Sequence, residues 1–146
     1  MKKILVFAAA LAFVACSSTK NTSASKNVKT ELLNNNTFLL KDISTDKTYG
    51  LSEKNPVQVG GVDTKEGPVN ERRFLNALAG PNGEKVSYYR AGSCCPIKSD
   101  KAMFGDKVML DNYRVTWEGS TDTVSIYINM YDYGQLKAPV GFTIKK

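Results

Sequence analysis

The stretch Val124-Ser125-Ile126-Tyr127-Ile128-Asn129-Met130-Tyr131 places apolar residues on every second position, with polar or aromatic ones between. A period of two specifies an extended strand with one face in a core and the other polar. Just upstream, Met109, Tyr113, Val115 and Trp117 alternate with Leu110, Asn112, Arg114 and Thr116. Glu118-Gly119-Ser120-Thr121-Asp122 lies between the two runs and is a turn-rich connection of hairpin length. Residues 107–118 and 122–132 are therefore predicted to pair antiparallel.

Outward from this pair, Phe38 to Ile43, Pro56 to Gly60, Glu84 to Ala91 and Val140 to Ile144 read as further short strands. One helix is expected from Pro68 through Leu78, stopped by Gly80-Pro81, with proline near the start and glycine past the end. Phe74, Leu75 and Leu78 form its apolar stripe, which packs it on the sheet. Glu71, Arg72 and Arg73 are expected on its exposed surface as a local ion pair, with anion binding the functional alternative. Pro81-Asn82-Gly83 turns the chain into the next strand. The predicted fold is α+β, a mostly antiparallel sheet with one packed helix and no internal repeat.

The first fifteen residues read as an address. Lys2 and Lys3 precede an apolar run from Ile4 to Val14, closed by the small Ala15. A helix of that length, at about 1.5 Å per residue, spans only about half of a bilayer core, so the run is a signal-peptide core. Phe13-Val14-Ala15-Cys16 resembles the lipobox of bacterial lipoproteins, with Phe13 where Leu is usual. That resemblance implies a lipidated Cys16 as first mature residue and a membrane partner through the acyl chains. Ser17 and Ser18 stand where lipoproteins of the inner membrane often have Asp, which implies the outer membrane. No acidic residue appears before Glu31, which favours the periplasmic face over export to the cell surface.

From Ser17 to Asn36 the chain is dominated by Ser, Thr, Asn and Lys, too polar to offset its ordering entropy. The organisation expected is a cleaved signal over 1–15, a lipidated Cys16 and disordered tether over 16–36, and a single globular domain over 37–146. Loss of Lys2 and Lys3 takes the formal charge from +6 to +4. The remaining basic residues are scattered, which suits a solvated surface with mild attraction to anionic envelope polymers and gives no nucleic-acid footprint. The 146 residues contain no histidine, which removes His-dependent triads and dyads, His-containing zinc sites and the commonest general base. No Gly-rich phosphate loop is present, and no cofactor or metal is expected.

Three sets of residues are candidate sites. Cys94 and Cys95 are adjacent within Gly92-Ser93-Cys94-Cys95-Pro96, where Gly92 and Pro96 suit a tight turn. They bond to each other in a small strained ring, stay reduced, or pair between chains; their uses range from redox switch or soft-metal chelate to a stiffened or buried loop. Met103 and Met109 are the extra donors a chelate would need, though core packing explains a methionine as well. The second set is the polar strand face, Tyr127, Asn129 and Tyr131 beside Arg114, suited to stacking on and hydrogen bonding a sugar or peptide. A third set, Asp111, Asp132 and Glu118, lies near strands as potential acid–base groups.

Gly60-Gly61, the run Gly67 to Leu78, Gly92-Ser93-Cys94-Cys95-Pro96 and Ile128 to Gly134 together resemble a family of small bacterial lipoproteins with a Gly-Ser-Cys-Cys-Pro motif. The resemblance covers residues 48 to 143. Such proteins sometimes carry the label 2-dehydro-3-deoxyphosphooctonate aldolase; that enzyme resembles a barrel of eight βα units and about 250 residues, so no catalytic residue transfers to this chain. The functional expectation is a cell-envelope lipoprotein with a non-enzymatic binding or structural role, its partner an envelope polysaccharide or protein. The alternative is a thiol-redox or soft-metal-handling lipoprotein centred on Cys94 and Cys95.

Overall fold

In the computed structural model, which describes residues 30–146, the strands Lys107–Trp117 (β6) and Val124–Asn129 (β7) pair antiparallel as their alternation requires, with Tyr113 opposite Ile126 and Val115 opposite Val124. The expected signal peptide, Cys16 and most of the tether lie outside the described residues. β5 (Val86–Lys98) runs antiparallel along the other side of β6, and β3 (Val57–Gln58) joins β7 in parallel, giving the order β3-β7-β6-β5. Two small antiparallel pairs complete the fold: β1 (Leu32–Asn34) with β2 (Thr37–Phe38), and β4 (Leu78–Ala79) with β8 (Thr143–Ile144). With α1 (Gly67–Leu75), the one helix among the described residues, the architecture is the expected α+β.

Phe74 and Leu75 of α1, with Val57, Val115, Ile126 and Ile128 of the sheet, form the centre of the core, all without exposure to solvent. The helix buries Gly67, Asn70, Glu71, Phe74 and Leu75, the spacing of one helical face. It ends three residues sooner than its apolar stripe predicted. Leu78 is buried by pairing with Ile144 instead. At the break, the Asn76 side chain donates to the Asn36 carbonyl (2.7 Å) and accepts from the Tyr88 hydroxyl (2.8 Å), tertiary bonds that reward leaving the helix. Pro68 occupies the first turn, where its missing N–H costs nothing.

Two other expectations change. Residues 32–36, read as part of the tether, form the β1–β2 hairpin, and Arg73 Nε donates to the Asn35 carbonyl at 2.9 Å. β5 does not stop before the cysteines; it continues through them to Lys98 with register shifts between Arg90 and Gly92 and between Cys94 and Pro96. Along β6 the buried face also switches. Tyr113 and Val115 face the core, whereas beyond Asp111 it is Leu110 (0% exposed) and Val108 (5%), on the opposite face, that are covered while Met109 is 44% exposed. An alternating sequence read as one flat face cannot anticipate this switch.

Candidate functional site

Directly after β3, Val59 bridges to Tyr133 and the chain turns at Gly60 and Gly61, with φ of +61° and +105°. Glycine is required here twice over: the backbone is left-handed, and a Cβ on Gly60 would collide with the Tyr133 ring, one on Gly61 with the Asn70 amide. The two glycines thus let an aromatic ring and an amide close onto the backbone. Beside them opens a cleft of about 510 Å³, walled by Asp63, Glu66, Asn70, Arg73 and Tyr133 over the apolar Phe38 and Val59.

The cleft's polar groups are held in place. Arg73 Nη1 donates to Asn70 Oδ1 at 2.9 Å and to Glu66 Oε1 at 3.2 Å, and Asn70 Nδ2 donates to the Gly60 carbonyl at 3.2 Å. The Tyr133 hydroxyl donates to Asp63 Oδ1 at 3.0 Å. Burial, then that bond and the Asp63 charge, raise the Tyr133 pKa, so the ring presents a neutral phenol. A concave surface with an apolar floor and a few convergent, fixed polar groups is the ordinary form of a small-ligand site.

A second cluster is buried under the sheet. Glu71, predicted at the surface, is fully buried: its position on the same helical face as Phe74 and Leu75 turns it inward. Oε2 accepts from the Tyr113 hydroxyl at 2.9 Å, while Oε1 has no hydrogen-bond partner among the described residues. Burial foremost, then the charge of Asp111, pushes the Glu71 pKa up to about 7. A protonated Glu71 resolves the orphaned oxygen, since its O–H can be shared with the Asp111 carboxylate. Asp111 itself receives a two-pronged contact from Arg90, Nε to Oδ2 at 2.6 Å and Nη2 to Oδ1 at 2.7 Å, and a bond from Ser93 Oγ at 2.9 Å. This bond pattern raises the Arg90 pKa and fixes the cation.

Ser93 leads into the cysteines. Cys94 and Cys95 are bonded to one another. Cys94 stands opposite Leu110 in the ladder and Pro96 opposite Met109, so Cys95 is the extra residue of a bulge, at φ +56°. Both cysteines are half-buried. Met109 is the sheet neighbour of Pro96, while Met103 is 81% exposed at the hairpin tip. Among the described residues, no group of three or more Cys, Asp or Glu stands together as a metal-ligand set.

The polar strand face is divided by the structure. Arg114 and Tyr127 share a face and are half-buried, with Arg114 Nη1 donating to Ser125 Oγ at 2.7 Å. Asn129 has no exposed surface. Its Nδ2 donates to Asp132 Oδ2 at 2.7 Å, and its Oδ1 accepts from the Tyr131 and Asp132 backbone N–H groups at 2.8 and 3.1 Å. Asn129 is therefore the pin of the turn after β7, and Tyr131 rides on that turn beyond the strand. The acid–base set does not assemble either. Asp111 belongs to Arg90, Asp132 to Asn129 and Ser99, and Glu118 is exposed in the β6–β7 connection.

Sequence reasoning misplaced Glu71 at the surface and missed Asn70, along with Arg90. The signal available for the first two was positional: polar residues three and four before the buried Phe74 fall on the helix's inward face. No protein family, curated protein or solved structure compared with this chain matches it.

Proposed function

We propose that the chain is a lipid-anchored cell-envelope protein, held by Cys16 at the outer membrane on its periplasmic face, whose domain is a non-enzymatic binding module for an envelope polysaccharide. The lipobox-like Phe13 to Cys16 and the serines after it support the location. One observation carries the binding role: the cleft at Gly60-Gly61, where the absence of a side chain on either glycine lets Tyr133 and Asn70 close onto the backbone. A sugar ring offers an apolar C–H face and a rim of hydroxyls. The Phe38 and Val59 floor suits the first, and the Asp63, Asn70, Arg73 and Tyr133 wall suits the second.

The test is a titration of the full chain with soluble amino-sugar oligosaccharides, followed residue by residue by NMR. Shifts concentrated at Gly60, Gly61, Asp63, Asn70 and Tyr133 are expected, with affinity falling about tenfold in Tyr133→Ala through loss of the ring. Binding that leaves those amides still, or that survives Tyr133→Ala undiminished, overturns the assignment. The anchor has its own test, since a Cys16→Ala protein that remains in the outer-membrane fraction removes the lipid from the reading.

A further inference from the structure

Cys94 and Cys95 sit where β5 is least constrained. β5 is the outer strand of its sheet, so among the described residues no strand of that sheet covers its far side, and both cysteines are half-buried. Cys95 carries a side chain through the left-handed region, a backbone state unfavourable for any residue but glycine. Closure of the ring with Cys94 is the local covalent constraint available to hold it there.

The two sides of this bulge are held very differently. Upstream, Arg90 and Ser93 clamp the strand to the buried Asp111. Downstream, the hairpin end rests on the pairs Ile97–Val108 and Lys98–Lys107, the Ser99 N–H to the Asp106 carbonyl at 3.1 Å, and the Ser99 hydroxyl to Asp132 at 2.8 Å. The Lys98–Asp106 ion pair, 3.6 Å long and well exposed, adds little. Beyond it Met103 and Phe104 stand 81% and 89% exposed.

We infer that Cys94–Cys95 is a redox site that exchanges with a dithiol, and that opening it frees the 95–107 end of the hairpin while the Arg90–Asp111 clamp keeps the rest of β5 in register. In the exchange a thiolate of the dithiol attacks one sulfur to give a mixed disulfide, and the other cysteine leaves as thiolate. The second thiol of the reductant then displaces the first cysteine. Two electrons pass to the protein, the reductant departs as its own disulfide, and the two cysteines end as thiols, their protons supplied by the reductant through water. The inference is independent of the cleft and of its ligand.

The experiment reduces the full chain with dithiothreitol in native buffer, reads thiols by alkylation and intact mass, and follows amide hydrogen exchange. The expected result is a protein purified in air that is two hydrogens light and opens without denaturant. On opening, the amides of 95, 97–99 and 106–108 exchange roughly tenfold faster, while those of 113–117 and 126–128 hold. A Cys94→Ser, Cys95→Ser variant shows the opened pattern with no reductant present. Free thiols at Cys94 or Cys95 in the air-purified protein, a bond that yields only on unfolding, or exchange at 97–99 that is the same in both states overturns the inference.

Discussion

The two halves of β5 follow the same neighbour and have little else in common. From Val86 to Arg90 the strand pairs residue for residue with Trp117 back to Tyr113, and Tyr88 meets Tyr113 edge-on, ring centres 6.0 Å apart, against the main core. From Gly92 to Lys98 it slips twice, carries a bonded cysteine pair and leads to a tip with two exposed apolar side chains. The first half is fixed by buried area. The second is fixed by a few directional contacts, among them Ser93 to Asp111 and, just past the strand, Ser99 to Asp132. Stability and chemistry are therefore separated along one strand, and changes to either half should leave different signatures.

The largest effect is expected from Ile126→Ala, which opens a cavity opposite Tyr113 in the regular half. A loss of about 4 kcal/mol in denaturant unfolding is expected, whatever the redox state of the cysteines. Next comes Glu71→Gln. In the wild-type protein the unfolded Glu71 ionises near its ordinary value of 4.5, the folded one near 7. Between those pH values the native state keeps a proton that the unfolded state has lost, so stability falls as pH rises through the window and is level above it, by about 3 kcal/mol in all. The glutamine keeps a partner for Tyr113 and cannot ionise. Its stability should stay flat from pH 4.5 to 8 and exceed wild type at the upper end; a parallel pH profile would show that Glu71 is not the group responsible. The smallest effect is that of Arg90→Ala, which leaves the Asp111 carboxylate, 5% exposed, without its cation. Because the arginine itself is half in water, about 2 kcal/mol is expected rather than the full cost of orphaning a buried charge. Its exchange signature should reach residues 90–93, the part of β5 that cysteine reduction leaves in place.

The sequence was most legible where one physical rule acted alone. Alternation located β6 and β7 to within a few residues, and Pro68 located the start of α1, because period two and the missing N–H each act locally. It was least legible where a polar residue had to be buried. Glu71 and Asn129 read as surface residues by type, yet one is turned inward by helical phase and the other drawn in by the turn it pins. The continuation of β5 past Ala91 was hidden for a related reason: Gly92, Cys95 and Pro96 look like a chain break, and a bulged strand uses those residue types to continue. The cleft was foreshadowed only by the pair Gly60-Gly61. The ring and amide that need those glycines come from Tyr133, far away in the chain, and from Asn70 on the helix that follows.

The interruptions in β5 also govern how neighbouring copies meet. A regular rim strand of thirteen residues offers a continuous row of backbone donors and acceptors along which another chain can zip. Here the row is broken at Ala91 and again at Cys95, Pro96 withholds a donor, and Arg90 and Lys98 put charge along the same rim. A strand from a second molecule finds no register longer than a few residues. An irregular rim of this kind disfavours the self-templated ribbon that a straighter strand would seed.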